Sequence, residues 1–168
     1  MAVNTASQAA PVDAAPHDAP VNDDPSEVAH AALRGAIAAQ AMTGFRTFAV
    51  HAGLAERPPP VAIFREKARG LLKLVPRPRR PAVIELAHWA YGAVGGAAFG
   101  ALPDTIRRRR WAGPAYGLAL WALYEGVMAP ALGLSHAKKP RPVERMVFAA
   151  DHLLYGFVLS EMRPRPQE

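Results

Sequence analysis

The chain has 168 residues, of which 51% are apolar and 20% are charged, with 17 Pro and 13 Gly. This length suits one domain, and the composition excludes collagen, a coiled coil and a wholly disordered chain. The absence of cysteine excludes a disulfide scaffold, a cysteine-bound metal and a thiol nucleophile. The net charge of +6 is compatible with a nucleic-acid partner only if the cations form a recognition surface.

Residues 1–27 form an acidic segment that is rich in Ala and Pro and contains no Lys or Arg. The segment has few large apolar side chains to bury, so the entropy cost of ordering it is not offset. We therefore expect a disordered N-terminal tail. It lacks the basic start and the apolar stretch of a signal peptide.

Four mainly apolar segments follow, at about residues 28–50, 83–102, 111–132 and 143–159. A bilayer core about 30 Å thick is crossed by about 20 apolar residues of helix, and each segment is near that length. The second and third also lack the polar stripe of a water-facing helix. We predict an all-α, four-helix transmembrane bundle over residues 28–162, followed by a short basic tail at 163–168. A soluble four-helix bundle is the alternative.

Small residues recur every four positions in these segments, a spacing that lets membrane helices approach closely. A compositional bias toward Ala and Gly would produce the same spacing without any packing role. The pattern predicts helix-packing faces, which could also bind a second copy of the chain or a membrane partner, at Gly92, Gly96, Gly100, Gly113, Gly117 and Gly156.

The distribution of Lys and Arg predicts the orientation in a bacterial inner membrane. The connections at 56–82 and 136–145 hold twelve of them, against six at 107–110 and 163–165. By the positive-inside rule, the first two connections are cytoplasmic and both termini lie outside the cytoplasm. The run from Arg107 to Arg110 argues for the opposite orientation.

Residues 61–75 predict a basic amphipathic helix after the first span, bounded by prolines on both sides. Its apolar side chains follow helical spacing, whereas its cations fall mostly on other faces. Such a helix lies in the headgroup layer and attracts anionic lipid, although an ordinary surface helix is the alternative. No aromatic residues interleave the cations, so we predict no nucleic-acid partner. The candidate headgroup ligands are Arg65, Lys67, Arg69 and Lys73.

Ionisable side chains inside apolar segments are costly, which makes them candidates for function. In the predicted topology they fall at a similar depth, near the cytoplasmic ends of the four helices. The motif His-x-x-Tyr-Gly also occurs twice, at 88–92 and at 152–156, which indicates two parallel helices around a shared centre or a repeated packing device. The predicted polar layer comprises Arg46, Glu85, His88, Tyr91, Glu125, Asp151, His152 and Tyr155.

Three interpretations of this layer remain open. It could be structural, with Arg46 paired to a carboxylate, or it could handle protons or bind a small ligand. The third is a metal or haem site, since Glu85 and His88 share a helix face as Glu-x-x-His. Glu125 and His152 could complete that set, and the two histidines could be axial haem ligands. The polar layer contains no second Glu-x-x-His, so no cofactor or metal is predicted.

The succession of these motifs resembles the YagU-like family of small bacterial inner-membrane proteins. The resemblance covers about residues 30–160 and implies a membrane fold and, from one branch of the family, a link to acid tolerance. It implies no biochemical activity, and Glu125 stands where a polar residue of the third helix, often His, is expected. The matching positions are His88, Tyr91, Pro130, Gly133, Leu134, His152, Tyr155 and Gly156.

The sequence contains no nucleophile elbow, Gly-rich phosphate loop, zinc-protease motif or dinucleotide-binding fingerprint, so we predict no enzyme activity. The leading hypothesis is an inner-membrane protein whose polar layer handles protons or a small ligand, in envelope stress or acid tolerance. The alternative is a structural or assembly module that packs through its small-residue faces.

Overall fold

The computed structural model describes residues 25–55, 59–134 and 141–161, and all regular structure within these ranges is helical. The prediction of an all-α fold is therefore confirmed. Most of the predicted disordered tail and the whole basic C-terminal tail lie outside the described residues. The first helix begins at Pro25, so residues 25–27, predicted as tail, are helical.

Four long helical segments make up the bundle. The first, α1, spans Pro25–His51, and the second, α4, spans Arg80–Gly100. The third consists of α6 at Ala112–Leu123, a π-helical turn at Tyr124–Met128 and α7 at Ala129–Ala131. The fourth, α8, spans Pro142–Glu161. Measured over the described ranges, none of these helices is both long and apolar enough to cross a membrane.

The connections carry short helices. Between α1 and α4 lie α2 at Pro59–Glu66, α3 at Arg69–Lys73 and a 3₁₀ turn at Arg77–Arg79. The predicted single helix over residues 61–75 is thus two helices, broken at Lys67 and Ala68. Gly70, a poor helix former, lies just after this break. Between α4 and α6 lies α5, which spans Asp104–Arg107.

The small residues of α4 lie against α1 within the same chain. A Cβ atom added at Gly92 would approach the Cβ of Ala39 to 2.5 Å, and one at Gly100 would approach that of Ala31 equally closely. Gly96 faces Gly35 in the same way. Because residue numbers rise along α1 as they fall along α4, the two helices are antiparallel.

The glycines of α6 make the same kind of contact with α8. Gly113 faces Gly156 and Ser160, and Gly117 faces the backbone of His152. All six glycines predicted as packing faces therefore lie between helices of one chain. Along α1, Met42 packs near Tyr155, Arg46 pairs with Asp151 and Ala49 packs near Val147, so α8 is antiparallel to α1 and therefore parallel to α4. The two His-x-x-Tyr-Gly motifs consequently run in the same direction along the bundle.

The third helix changes geometry before it ends. Pro130 has no N–H to donate to the carbonyl of Gly126. The N–H of Ala129 bonds to the carbonyl of Tyr124, five residues back, rather than to that of Glu125, four residues back. A π-helical turn results, which is rare and often found at functional sites. The helix then stops at Gly133, whose φ of 59° suits glycine, and the next residue, Leu134, is buried.

Candidate functional site

A single guanidinium joins three helices in the interior of the bundle. Arg46 on α1 is only 5% exposed, and its Nε lies 3.5 Å from Oδ2 of Asp151 on α8. Its Nη2 lies 2.9 Å from Nε2 and 3.1 Å from Nδ1 of His88 on α4. Because a guanidinium can only donate hydrogen bonds, a ring nitrogen of His88 must accept, which fits a neutral imidazole.

A hydroxyl group connects this centre to a second carboxylate. Thr43, almost one turn before Arg46 on α1, donates a hydrogen bond of 2.9 Å to Oε2 of Glu85 and lies 3.5 Å from Nη2 of Arg46. We call the set Thr43, Arg46, Glu85, His88 and Asp151 the ionic cluster. Sequence reasoning missed Thr43, although its position three residues before Arg46 places both on one helix face.

Asp151 is the most enclosed member of the ionic cluster, with 1% of its surface exposed. Its Oδ2 faces Arg46, whereas its Oδ1 is buried and has no hydrogen-bond partner among the described residues. Buried carboxylate oxygens normally accept hydrogen bonds, so this oxygen offers an open position for a proton or for a donor group.

Two tyrosines attach the α6–α8 pair to the backbone of α4. The hydroxyl of Tyr155 donates to the carbonyl of Gly92 at 2.6 Å, and that of Tyr116 donates to the carbonyl of Gly95 at 2.8 Å. The first bond links the Tyr of one His-x-x-Tyr-Gly motif to the Gly of the other. Tyr116 was not predicted, because nothing in its immediate sequence marks it as polar-facing.

We expect Tyr155→Phe to lower the free energy of unfolding by about 0.5–1.5 kcal/mol, because the bond to the buried carbonyl of Gly92 is lost. The ring would keep its place in the apolar core. Tyr91→Phe is the matched control, since Tyr91 is 48% exposed and its hydroxyl lies 4.0 Å from the sulfur of Met128. Thermal unfolding in mild detergent measures both. Equal losses in the two variants would contradict this assignment.

Three residues of the predicted polar layer make their contacts elsewhere. His152 hydrogen-bonds through Nδ1 to the carbonyl of Phe148 in its own helix, at 2.8 Å. Glu125, in the π-helical turn, lies 3.8 Å from Arg145. Tyr91 lies at the surface. The structure thus joins Arg46, His88 and Asp151 by direct contacts and Glu85 through Thr43. Tyr155 of α8 bonds to Gly92, one turn after His88 on α4.

The proposed carboxylate–imidazole set is not assembled as a metal site. Across residues 25–55, 59–134 and 141–161, no group of three or more His, Asp and Glu side chains is arranged to hold a metal ion. His88 faces the cationic Arg46, and Glu125 is paired with Arg145. These contacts do not fit the ligand roles considered for the two residues.

A second charged group lies at the opposite end of α1. Arg107 is buried and pairs with Asp104 of its own helix and with Glu27 of α1. Hydrogen bonds from Arg107 and Arg108 hold the pKa of the Asp104 carboxyl below its usual value. In the sequence, Arg107 is one of four consecutive arginines and Glu27 belongs to the predicted disordered tail, so the sequence does not predict this contact.

A groove of about 330 Å³ lies away from the ionic cluster, where α8 begins beside α6. It is lined by Trp121, Pro142, Arg145, Met146 and Ala149. No family model, no curated protein and no solved structure matches the chain. The geometry of the ionic cluster and the surface of the bundle are therefore the features that indicate function.

Proposed function

We propose that this protein is an integral helical protein of the bacterial inner membrane, in which the ionic cluster binds and releases a proton. The distribution of side chains supports the membrane environment. Gly and Ala supply the closest helix contacts beside small buried apolar clusters, and many large apolar side chains of the helices are exposed, as expected in lipid. The large apolar side chains of the four-helix bundle that are more than half exposed are Leu33, Phe48, Leu86, Val94, Trp111, Val127, Met146 and Phe157.

The orientation and the biological setting are part of the proposal. The excess of Lys and Arg in the connections at 56–82 and 136–145 favours a cytoplasmic location for them, with both termini outside. The resemblance to the YagU-like family favours envelope stress or acid tolerance as the process. A proton-binding cluster in the membrane is consistent with that setting.

The observation that carries the proton-binding proposal is the unpartnered Oδ1 of Asp151. With His88 neutral, the cluster contains one cation, Arg46, and two carboxylates, Glu85 and Asp151. When both carboxylates are ionised, the cluster has one excess negative charge. A proton on Oδ1 removes that excess without displacing Arg46, so the same contacts accommodate both states.

A small ligand with a hydrogen-bond donor could occupy the same oxygen, and it would also complete the hydrogen bonding of Asp151. The described residues enclose Asp151 tightly, which favours a proton over a larger group. The structural alternative treats the cluster only as a link between helices. Under that alternative, the buried and unpartnered Oδ1 of Asp151 lowers stability and serves no purpose.

The test begins with membranes expressing the full chain and washed with carbonate, from which an integral protein is not released. The purified protein is then placed in liposomes, and infrared difference spectra are recorded between about pH 5 and 8, where buried carboxylates and histidines can titrate. We expect a protonated carboxylic-acid band that is absent in Asp151→Asn. Glu144→Gln, which removes a carboxylate from the start of the same helix, should retain it.

Two results would overturn the proposal. Release of the chain by carbonate would contradict the integral-membrane part. A wild-type spectrum without a titrating carboxylic-acid band, together with lower stability of Asp151→Asn, would leave the cluster a structural link.

A further inference from the structure

The connection between α1 and α4 carries a concentration of positive charge. Over residues 59–80, which we call the basic segment, seven Lys and Arg accompany a single acidic residue, Glu66. Such an excess on a short stretch attracts surfaces of negative charge. Charge alone does not distinguish a lipid surface from a nucleic acid, so the apolar side chains of the segment decide between them.

Two leucines of the basic segment point away from the protein. Leu71 is 65% exposed and Leu74 is 82% exposed, whereas Leu72 between them is buried. Leu71 and Leu74 are three residues apart and therefore lie on one side of α3 and its end. Arg69 and Lys73, both exposed, flank them. The basic segment thus presents two exposed leucines with a cation on either side.

Contacts with the bundle fix the orientation of the basic segment. Ile63 of α2 packs against the buried cluster of Tyr124, Ala129 and Leu134 at the end of the third helix. At the other end the basic segment runs into α4, whose first residue, Arg80, donates from Nε to the carbonyl of Val75 at 3.1 Å. Because both ends are held, Leu71 and Leu74 project from a defined surface.

We propose that the basic segment docks onto anionic phospholipid, with Leu71 and Leu74 entering the acyl boundary and Arg69 and Lys73 contacting phosphates. The membrane part of the proposed function underlies this inference. Exposed leucines gain from contact with acyl chains and gain nothing from a phosphodiester backbone, which favours lipid over nucleic acid. Lys67, also predicted as a headgroup ligand, instead lies near Gly133 at the end of the third helix.

The experiment uses the full chain in vesicles and one spin label. The natural sequence has no cysteine, and a Cβ at Gly70 would meet no atom within 4 Å, so Gly70→Cys gives a unique label beside both leucines. Vesicles contain phosphatidylcholine alone or phosphatidylcholine with phosphatidylglycerol. We expect the label to lose contact with a water-soluble nickel complex and to gain contact with oxygen when phosphatidylglycerol is present.

The charge dependence is tested with matched double variants in the labelled chain. Each cation near an anionic surface contributes about 1 kcal/mol, so Arg69→Gln/Lys73→Gln should lower the ratio of docked to undocked label by roughly thirtyfold. Arg109→Gln/Arg110→Gln removes the same charge from the connection between α4 and α6. This control should leave the ratio unchanged.

The outcomes separate this inference from the proposed function. A label that stays water-exposed with phosphatidylglycerol, in a chain that resists carbonate, would overturn the inference and leave the membrane proposal standing. A chain that carbonate releases, but whose label still responds to phosphatidylglycerol, would overturn the membrane proposal and leave the lipid-docking inference standing. A label that responds to single-stranded RNA but not to phosphatidylglycerol would assign the segment to nucleic acid and overturn the inference.

Discussion

Asp151→Leu is expected to lower the free energy of unfolding by about 3–5 kcal/mol, the usual cost of leaving one member of a buried ion pair without its partner. Arg46 is buried, and Asp151 provides the carboxylate nearest to its Nε, at 3.5 Å. Removing that carboxylate takes the ion-pair partner from Nε, because His88 carries no charge and the remaining carboxylate, Glu85, is connected to Arg46 only through the hydroxyl of Thr43. Water cannot replace the lost carboxylate without opening the contact between α1 and α8.

The partner variant, Arg46→Met, should also be destabilising, because it leaves the buried carboxylate of Asp151 without its cation. The double variant Arg46→Met/Asp151→Leu should recover much of the loss, because replacing a whole buried pair by apolar groups is often neutral or stabilising. Unfolding in mixed micelles with rising dodecyl sulfate, followed by circular dichroism, measures all three. A double variant whose loss equals the sum of the single losses would show that Arg46 and Asp151 are not coupled.

An exposed arginine provides the control for this cycle. Arg108 lies 3.0 Å from the carboxylate of Asp104, but its side chain is 66% exposed. Exposed ion pairs contribute about 0–1 kcal/mol, so Arg108→Met should change stability little. A folded Arg46→Met/Asp151→Leu protein would also allow the function to be tested apart from the fold. If it is stable and lacks a titrating carboxylic-acid band that the wild type shows, the proton binds at this pair and the fold does not depend on the pair.

The depth of polar residues along the helices could be predicted from the sequence, but the side of the helix they face could not. Counting residues from the predicted ends placed Arg46, His88 and Asp151 at one level, and the structure joins them there. The same count placed Tyr91 with Tyr155, because both belong to a His-x-x-Tyr-Gly motif. Tyr155 reaches Gly92, whereas Tyr91 is at the surface, because the rotation of each helix depends on its partners.

Neutral and small residues were the main omissions. Thr43 was missed because hydroxyl groups are common in helices and only its neighbour Arg46 makes it important. The small face of α1 was missed because Ala31 and Ala39 are too common to mark a contact, although Gly35 lies between them at the same spacing. The π-helical turn has one sequence signal, Pro130, which predicts a disturbed helix without specifying its form.

The close contact between α1 and α4 predicts opposite effects for two glycines of α1. Gly35→Ala should lower the free energy of unfolding by about 1–3 kcal/mol, because overpacking forces backbones apart. A Cβ at Gly35 would lie 2.8 Å from Cα and 2.9 Å from N of Gly96, and backbone atoms cannot rotate aside. At Gly44 a Cβ would meet no atom within 4 Å. Gly44→Ala should therefore gain about 0.5–1 kcal/mol from helix propensity.

The same pair of variants distinguishes internal packing from self-association through this face. Because the structure places Gly35 and Gly96 in one chain, the loss in Gly35→Ala should be the same at every protein concentration in detergent. A face that joins two copies would make the loss depend on concentration, since association responds to mass action. Equal effects of Gly35→Ala and Gly44→Ala would contradict the α1–α4 contact itself. A loss that grows on dilution would move the small-residue face from the interior of the chain to an interface between copies.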